Sequence, residues 1–253
     1  LAAGYGGRPD PQDPSAVLAM PIVLHIPKAD PPRRSSLLEA AAMSAVVLCF
    51  DERVGLSEDG EPGPWHENFT AWVDSRIRKV SRRARGAAWA GAQNVDGITV
   101  DVAGASARAL VPGPVGDLDP RIKKLQIGGT DLEHDQPGRP LTGVPVLWID
   151  SRLEMTVGKA AAQVGHASML LAAALDSDAA HAWAADGFRL AVRDADARVE
   201  QAQVVVDLGD RAHRRARVAV GGLLVDGHRR RQTLDELDLG LLHLAEEHAG
   251  VGA

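Results

Sequence analysis

The side chains most suited to chemistry in this 253-residue sequence lie between positions 153 and 167. Lys159, Gln163 and His166 are spaced i, i+4 and i+7, so a helix places an amine, an amide and an imidazole on one face. Thr156 is the expected cap, which puts Lys159 in the first turn, where the helix dipole disfavours a cation by about 0.5 kcal/mol and free N–H groups bind phosphate. This face suits an ester or a phosphate group. The alternative is the solvated side of an amphipathic helix.

Basic residues form a second candidate surface, because six of them fall within the ten residues of 76–85. The pattern predicts a helix of nearly three turns with charge on several faces. We expect such a helix to contact the phosphates along a nucleic-acid backbone. The expected phosphate contacts are Arg78, Lys79, Arg82 and Arg83. The alternative is a solvated helix paired with the acids of the 51–67 loop. Because the formal net charge is −6, we expect selective contact with a polyanion and not indiscriminate binding.

The sequence predicts neither a metal site nor a cofactor. Its single cysteine, Cys49, excludes a disulfide framework and a multi-cysteine zinc site. Four histidines near the end of the chain lack a zinc spacing: His213, His228, His243 and His248. Cys49 lies in an apolar run, so we expect a small buried side chain and not a nucleophile.

Hydropathy periodicity predicts an α/β fold to position these side chains. The predicted extended segments are 22–26, 97–102, 122–127, 144–149, 188–192, 204–206 and 218–225. The predicted helices are 37–50 (capped by Ser35 or Ser36), 65–92 with an interruption at Gly86, 158–175 and 233–248. Each half opens with a strand followed by an Ala-rich helix, which indicates an internal duplication.

Composition divides the chain into two lobes joined by a linker. Residues 1–19 are expected to be a disordered leader that lacks the blocks of a secretory signal. The first lobe spans 20–132 and contains the basic helix, the polar stretch 133–143 is the linker, and the second lobe spans 144–253. No apolar stretch reaches the roughly 18 residues of a membrane span, so we expect a cytoplasmic protein without a membrane partner.

The segment 155–167 resembles the type 2 peptidyl-tRNA hydrolases, in which a strand leads into a Met-x-x-Gly-Lys-x-Ala-Ala-Gln-x-x-His-Ala helix. The matching residues are Met155, Gly158, Lys159, Ala161, Ala162, Gln163, His166 and Ala167. The segments that resemble the two-lobed version seen in actinobacteria are 77–80, 82–86, 108–114 and 125–131.

The resemblance implies two related lobes, a mixed β-sheet flanked by helices on both faces, and a metal-free esterase that frees the peptide from tRNA. It implies Lys159, His166 and Asp207 as catalytic residues, with Asp207 orienting or deprotonating water. The substrate-binding residues are then Gly158, Gln163 and Thr156, together with the four basic residues at 78–83. The family's Asp-Ala-Gly-x-Thr turn is matched only by Asp207-Leu208-Gly209, without the threonine.

Three functions therefore stay open: hydrolysis of peptidyl-tRNA, RNA binding without catalysis, and hydrolysis of a small ester. The missing threonine favours the second, and the basic clusters favour an RNA partner. His166 also has the alternative role of a packed neighbour in the helix. Because positions 39–49 lack the Gly-Lys and Gln-x-x-His residues, the first lobe is expected to be a degenerate copy. It then takes the place of a second subunit in a pseudo-dimeric monomer; the alternative is a homodimer.

Overall fold

The computed structural model describes residue 9, residues 11–195 and the backbone of two short strands at 204–207 and 219–220. The fold is α/β with two mixed sheets, which confirms the predicted fold class. The predicted helix at 233–248 and the four histidines near the end of the chain lie outside the described residues.

The described elements alternate strands with helices along the chain. The strands are β1 (Leu18–His25), β2 (Lys79–Ala84), β3 (Gly97–Val102), β4 (Ala105–Leu110), β5 (Gly113–Pro114), β6 (Val146–Asp150), β7 (Ala191–Ala195), β8 (Val204–Asp207) and β9 (Ala219–Val220). The α-helices are α1 (Arg34–Cys49), α2 (His66–Val73), α3 (Gly86–Ala92), α4 (Pro120–Lys123), α5 (Val157–Ala174) and α6 (Ser177–Ala185).

The two sheets share one plan for their first two strands. The first sheet has the order β2-β1-β4-β3, with β5 on the start of β1, and the second has β7-β6-β8-β9. In each half, the opening strand is followed by a long helix, a short helix and a strand parallel to it. An antiparallel strand lies on its other side. The halves differ in which of the last two strands takes this place. In the first half it is the later strand of the β3–β4 pair, and in the second half it is the earlier strand of the β8–β9 pair.

The repetition extends to the turn after each short helix. After α2, Trp72 Nε1 donates to the Arg78 carbonyl at 2.9 Å. After α6, Trp183 Nε1 donates to the Arg189 carbonyl at 2.8 Å. In both turns the residue before the arginine has a positive φ, 40° in the first half and 55° in the second. The same turn with the same spacing supports the duplication that the Ala-rich helices indicated.

Helices α1 and α5 pack along each other and form a layer shared by both sheets. Helix α1 contacts β3 and β4 of the first sheet and β7 of the second, while α5 contacts β2 of the first sheet and β6 and β8 of the second. Their Ala-rich composition allows this close approach: Ser168 Oγ donates to the Ala42 carbonyl at 2.8 Å, and a Cβ on Gly165 would lie 3.4 Å from that of Ala45. One apolar cluster therefore runs through both halves.

A smaller cluster covers the opposite face of the first sheet. Val23 of β1 points away from the α1–α5 layer and packs with Ala92 of α3 and Ile122 of α4. Its neighbours Ile22 and Leu24 belong to the large cluster, as the two-residue alternation of a strand requires. The first sheet is therefore flanked by helices on both faces.

The prediction of a basic helix at 76–85 is wrong, because Lys79–Ala84 is the edge strand β2. It pairs in parallel with β1 along six residues. Lys79 and Ser81 are buried and the residues between and after them are half-buried, which is the alternation of a strand. Pairing with the buried strand β1 outweighs the helix propensity of Arg and Lys. The predicted helix at 65–92 is therefore reduced to α2 and α3.

Further boundaries differ from the prediction, and the strand expected at 188–192 is β7 at Ala191–Ala195. Residues 18–19 of the expected leader belong to β1, because they pair with β5. Helix α1 begins at Arg34, and its N-cap residue is Arg33, whose own side chain makes no capping hydrogen bond, so the predicted serine cap is wrong. Residues 122–127 do not form a strand, because Asp119 caps α4 at the Arg121 N–H and Pro120 takes the first helical position.

Candidate functional site

The start of α5 carries the exposed lysine of the predicted site. Thr156 is the N-cap, as predicted, and its Oγ1 accepts from the Lys159 N–H at 3.4 Å. The Lys159 side chain is exposed, whereas Gly158 and Ala160 on either side of it are buried. The ammonium is therefore available to a ligand at the end of the helix.

Thr130, three residues before the linker, was not among the predicted site residues and contacts this end of α5. Its Oγ1 accepts from the Gly158 N–H at 3.1 Å, and the side chain is 1% exposed. A Cβ on Gly158 would lie 3.0 Å from that oxygen, so only glycine fits without displacement. The structure thus places Gly158, a predicted substrate contact, in the interior with its N–H already occupied.

A surface pocket of about 320 Å³ opens beside Thr156. Its lining includes the exposed carboxylates of Asp131 and Glu154. His134 also lines the pocket, and its Nδ1 lies 2.8 Å from Asp194 Oδ2. Lys159 follows the lining residue Val157 by two positions and is not itself part of the lining. The two carboxylates can orient water or bind an amino group. Sequence reasoning missed both acids, because they lie in irregular segments on either side of the linker.

The polar stripe of α5 runs from solvent into the protein. Lys159 is exposed, while Gln163 and His166 are half-buried. His166 Nδ1 lies 3.3 Å from Nζ of Lys79, which β2 supplies from the first half. Burial, and then the Lys79 charge, hold the pKa of His166 well below its usual 6.5, so the ring is neutral at pH 7.

Lys79 lies in the interior, although the sequence predicted a phosphate contact. Its side chain is 9% exposed. Besides His166, Nζ contacts Met169 Sδ at 2.9 Å and lies 4.9 Å from the centre of the Trp72 ring. The burial of its charge does not suit contact with a nucleic-acid backbone.

Arg82 and Arg83 bind the protein's own backbone. Arg82 donates to the carbonyls of Lys123 and Leu125, at 3.2 and 2.9 Å. Arg83 donates to the Gln126 side chain and to the Gly129 carbonyl, the latter at 2.6 Å. Both side chains, like Arg78, are half-buried. The exposed basic residues of this region are Arg85, Lys123 and Lys124.

Asp207 is described only by its backbone, which lies far from the start of α5. In the β6–β8 pairing it stands opposite Val146, at the beginning of β6. The other end of β6 is Asp150, and α5 begins beyond that end, at Val157. Four residue steps along β6 lead from Val146 to Asp150, which is ~13 Å. The described backbone therefore does not bring Asp207 to Lys159.

The start of α1, the counterpart of α5 in the first half, is filled by side chains of this chain. Asp135 of the linker accepts from the Ser35 N–H at 2.9 Å and from its hydroxyl at 2.5 Å. Arg34, 4% exposed, donates to Asp194 of β7 at 3.0 Å. These contacts leave α1 without an open end for a ligand.

Other reactive groups lie in the core or do not cluster. Cys49 is 1% exposed, as predicted, and burial raises the pKa of its thiol to about 12. Within the described residues, no group of three or more His, Cys, Asp or Glu side chains is arranged to hold a metal ion. A search of the same residues found no helix with the length and apolarity to cross a membrane.

Comparisons of the chain with protein-family models, curated proteins and solved structures found no match.

Proposed function

We propose that this chain hydrolyses the ester bond of peptidyl-tRNA and releases the peptide and free tRNA. The observation that carries the proposal is the exposed Lys159 in the first turn of α5, two residues after Val157, which lines the same pocket as Asp131 and Glu154. Lys159 belongs to the segment that resembles type 2 peptidyl-tRNA hydrolases. Its side chain has the exposure that contact with a large substrate requires.

The proposed reaction uses groups at the start of α5. Water attacks the ester carbonyl, the bond to the ribose oxygen breaks, and that oxygen takes up a proton. The Lys159 ammonium stabilises the oxyanion of the tetrahedral intermediate or binds the terminal phosphate. Asp131 or Glu154 takes the proton from water, in the role that the sequence analysis assigned to Asp207. Gln163 and His166 supply hydrogen bonds along the same helix face.

The basic residues near this pocket support a tRNA substrate. Arg85 is exposed directly after β2. Lys123 and Lys124 are also exposed, and the Lys123 carbonyl accepts a hydrogen bond from Arg82 of β2. On the same strand, the Ser81 Cβ is 3.7 Å from where a Gly158 Cβ would be. Arg85 is four residues beyond Ser81, ~13 Å along the chain. The exposed basic residues therefore lie in the same half as the strand that contacts the start of α5, and Arg85 lies ~13 Å from that contact.

The test is release of an N-blocked amino acid from tRNA by the purified protein without added metal. We expect Lys159→Ala to lower the rate about 100-fold or more, since an oxyanion contact is worth that much. Lys28→Ala, at another exposed lysine, is the matched control and keeps the wild-type rate. Equal rates in Lys159→Ala and wild type would overturn the role of Lys159.

A separate measurement tests the tRNA contact. We expect replacement of Arg85, Lys123 and Lys124 by alanine to reduce the slope of log affinity against log salt concentration. The reduction is about 0.9 for each duplex phosphate that the protein no longer neutralises. Arg189→Ala is the control, since this exposed arginine pairs with Asp186 in the second half. An unchanged slope would contradict this interface.

The second candidate function is RNA binding without hydrolysis. The backbone position of Asp207, opposite the first residue of β6, favours it, because α5 begins beyond the other end of that strand. In that case tRNA binds with the salt dependence given above, but wild type releases no amino acid. Release of a small activated ester without tRNA binding would instead support a small-ester hydrolase.

A further inference from the structure

One contact between the two halves joins a buried lysine of the first to a half-buried histidine of the second. Lys79 Nζ, from β2, lies 3.3 Å from His166 Nδ1 on α5. The same ammonium contacts Met169 Sδ one helical turn further on, at 2.9 Å, and lies over the Trp72 ring. These contacts hold the ammonium on three sides.

Gly165 provides the space for the lysine chain beside α5. A Cβ on this residue would lie 3.1 Å from Cδ of Lys79 and 3.3 Å from Cε. These separations are tighter than nine in ten real Cβ contacts, so a side chain at 165 would require the lysine chain to shift by a few tenths of an ångström. The absence of a side chain at 165 thus leaves the lysine chain its observed path to His166.

We propose that Lys79 is a positioning residue that sets the tautomer of His166. An ammonium group can only donate hydrogen bonds, so Nδ1 of a ring that meets it must be the acceptor. A neutral imidazole with an acceptor Nδ1 carries its proton on Nε2. His166 is therefore a hydrogen-bond donor through Nε2 and does not act as a base through that nitrogen.

The consequence for catalysis rests on the proposed hydrolase function. An Nε2–H donor on the stripe of Lys159 and Gln163 stabilises negative charge that develops on substrate. Because Lys79 comes from β2, the first half contributes to a site whose other residues lie on α5. Loss of this positioning is expected to lower kcat by up to about 100-fold, the effect of a misplaced catalytic group.

The test is a two-bond ¹H–¹⁵N correlation spectrum of the full chain at pH 7, with the His166 ring assigned by comparison with His166→Gln. We expect wild type to show an unprotonated Nδ1 and a protonated Nε2. Lys79→Met, which keeps the length of the chain and removes the donors, is expected to shift the ring toward a mixture of tautomers. Met169→Leu is the control, because it changes packing in the same cluster, keeps the ammonium and retains the wild-type signature.

A wild-type ring protonated on Nδ1 would overturn the proposal, whether or not Lys79→Met folds. A folded Lys79→Met protein with the wild-type ring spectrum would also overturn it. The spectrum does not depend on turnover, so a failure of the tautomer proposal can be distinguished from a failure of the proposed hydrolase function. The expected spectra from a protein that releases nothing from tRNA would support the role of Lys79 and reject only the hydrolase.

Discussion

Thr130 and Asp135, five residues apart, each accept a hydrogen bond from the first turn of a different long helix. Thr130 Oγ1 accepts from the Gly158 N–H of α5 at 3.1 Å, and Asp135 accepts from the Ser35 N–H of α1 at 2.9 Å. The segment between the halves therefore caps both helices of the shared layer. These bonds satisfy backbone donors that a helix leaves without partners at its start.

Thr130→Val is expected to lower the free energy of unfolding by about 1–3 kcal/mol. The substitution keeps the shape but leaves the buried Gly158 N–H without its acceptor. Urea denaturation measures the change. Thr130→Ser is the matched control, because it keeps the hydroxyl and should lose less. Equal losses in the two variants would show that the methyl group, and not the hydrogen bond, matters at this position.

Asp135→Ala is expected to destabilise the protein by about 1–2 kcal/mol, the usual effect of losing a helix cap. The variant removes the acceptor of both the Ser35 N–H and its hydroxyl. The control is Asp59→Ala, since Asp59 is exposed. Midpoints of chemical denaturation compare the two variants. A loss no larger than that of Asp59→Ala would contradict the capping role of Asp135.

His166 is expected to make the protein less stable as pH falls below about 6.5. Its pKa is well below 6.5 in the fold, because of burial and Lys79. In this range the unfolded chain binds a proton that the folded chain does not, so protons favour unfolding by up to about 1.4 kcal/mol for each pH unit. The measurement is the free energy of unfolding at pH 7.5 and 5.5 in wild type and His166→Gln. The same pH dependence in both proteins would contradict this assignment.

Cys49 is expected to resist thiol reagents at pH 8 in the folded protein and to react on unfolding. Its pKa is raised to about 12 by burial, and its Sγ donates to the Ala45 carbonyl at 3.1 Å. Stability is expected to be insensitive to this thiol below pH 9, the ordinary pKa of a cysteine, and to fall between pH 9 and about 12. In that range the folded state holds a proton that the unfolded state has lost. Rapid labelling of the folded protein would contradict the first expectation.

Local patterns were sufficient to predict the two long helices and β3. The predicted helix at 158–175 differs from α5 by one residue at each end, because Thr156 and an Ala-rich run signal it locally. The predicted strand at 97–102 coincides with β3. The fold class followed from the same alternation of strand and helix patterns.

The contacts that define the candidate site required the tertiary structure. Within its basic run, Lys79 resembles a surface charge, and only the pairing of β2 with β1 turns it toward α5. Thr130 reaches Gly158 across 28 residues of chain. The Lys79 to His166 contact spans 87 residues. Contacts between residues so far apart in the sequence leave no periodic pattern. The exposed Lys159 was therefore predictable, whereas the contact of His166 with Lys79 was not.

The shared layer of α1 and α5 also has a consequence for synthesis on the ribosome. The face of α1 that contacts α5 is apolar and stays uncovered until α5 has emerged, and the starts of these helices are separated by 123 residues, from Arg34 to Val157. At roughly 5–20 residues per second, this delay is about 6–25 s. A nascent chain with the first half complete therefore exposes an aggregation-prone helix face, for which a chaperone is the expected temporary partner.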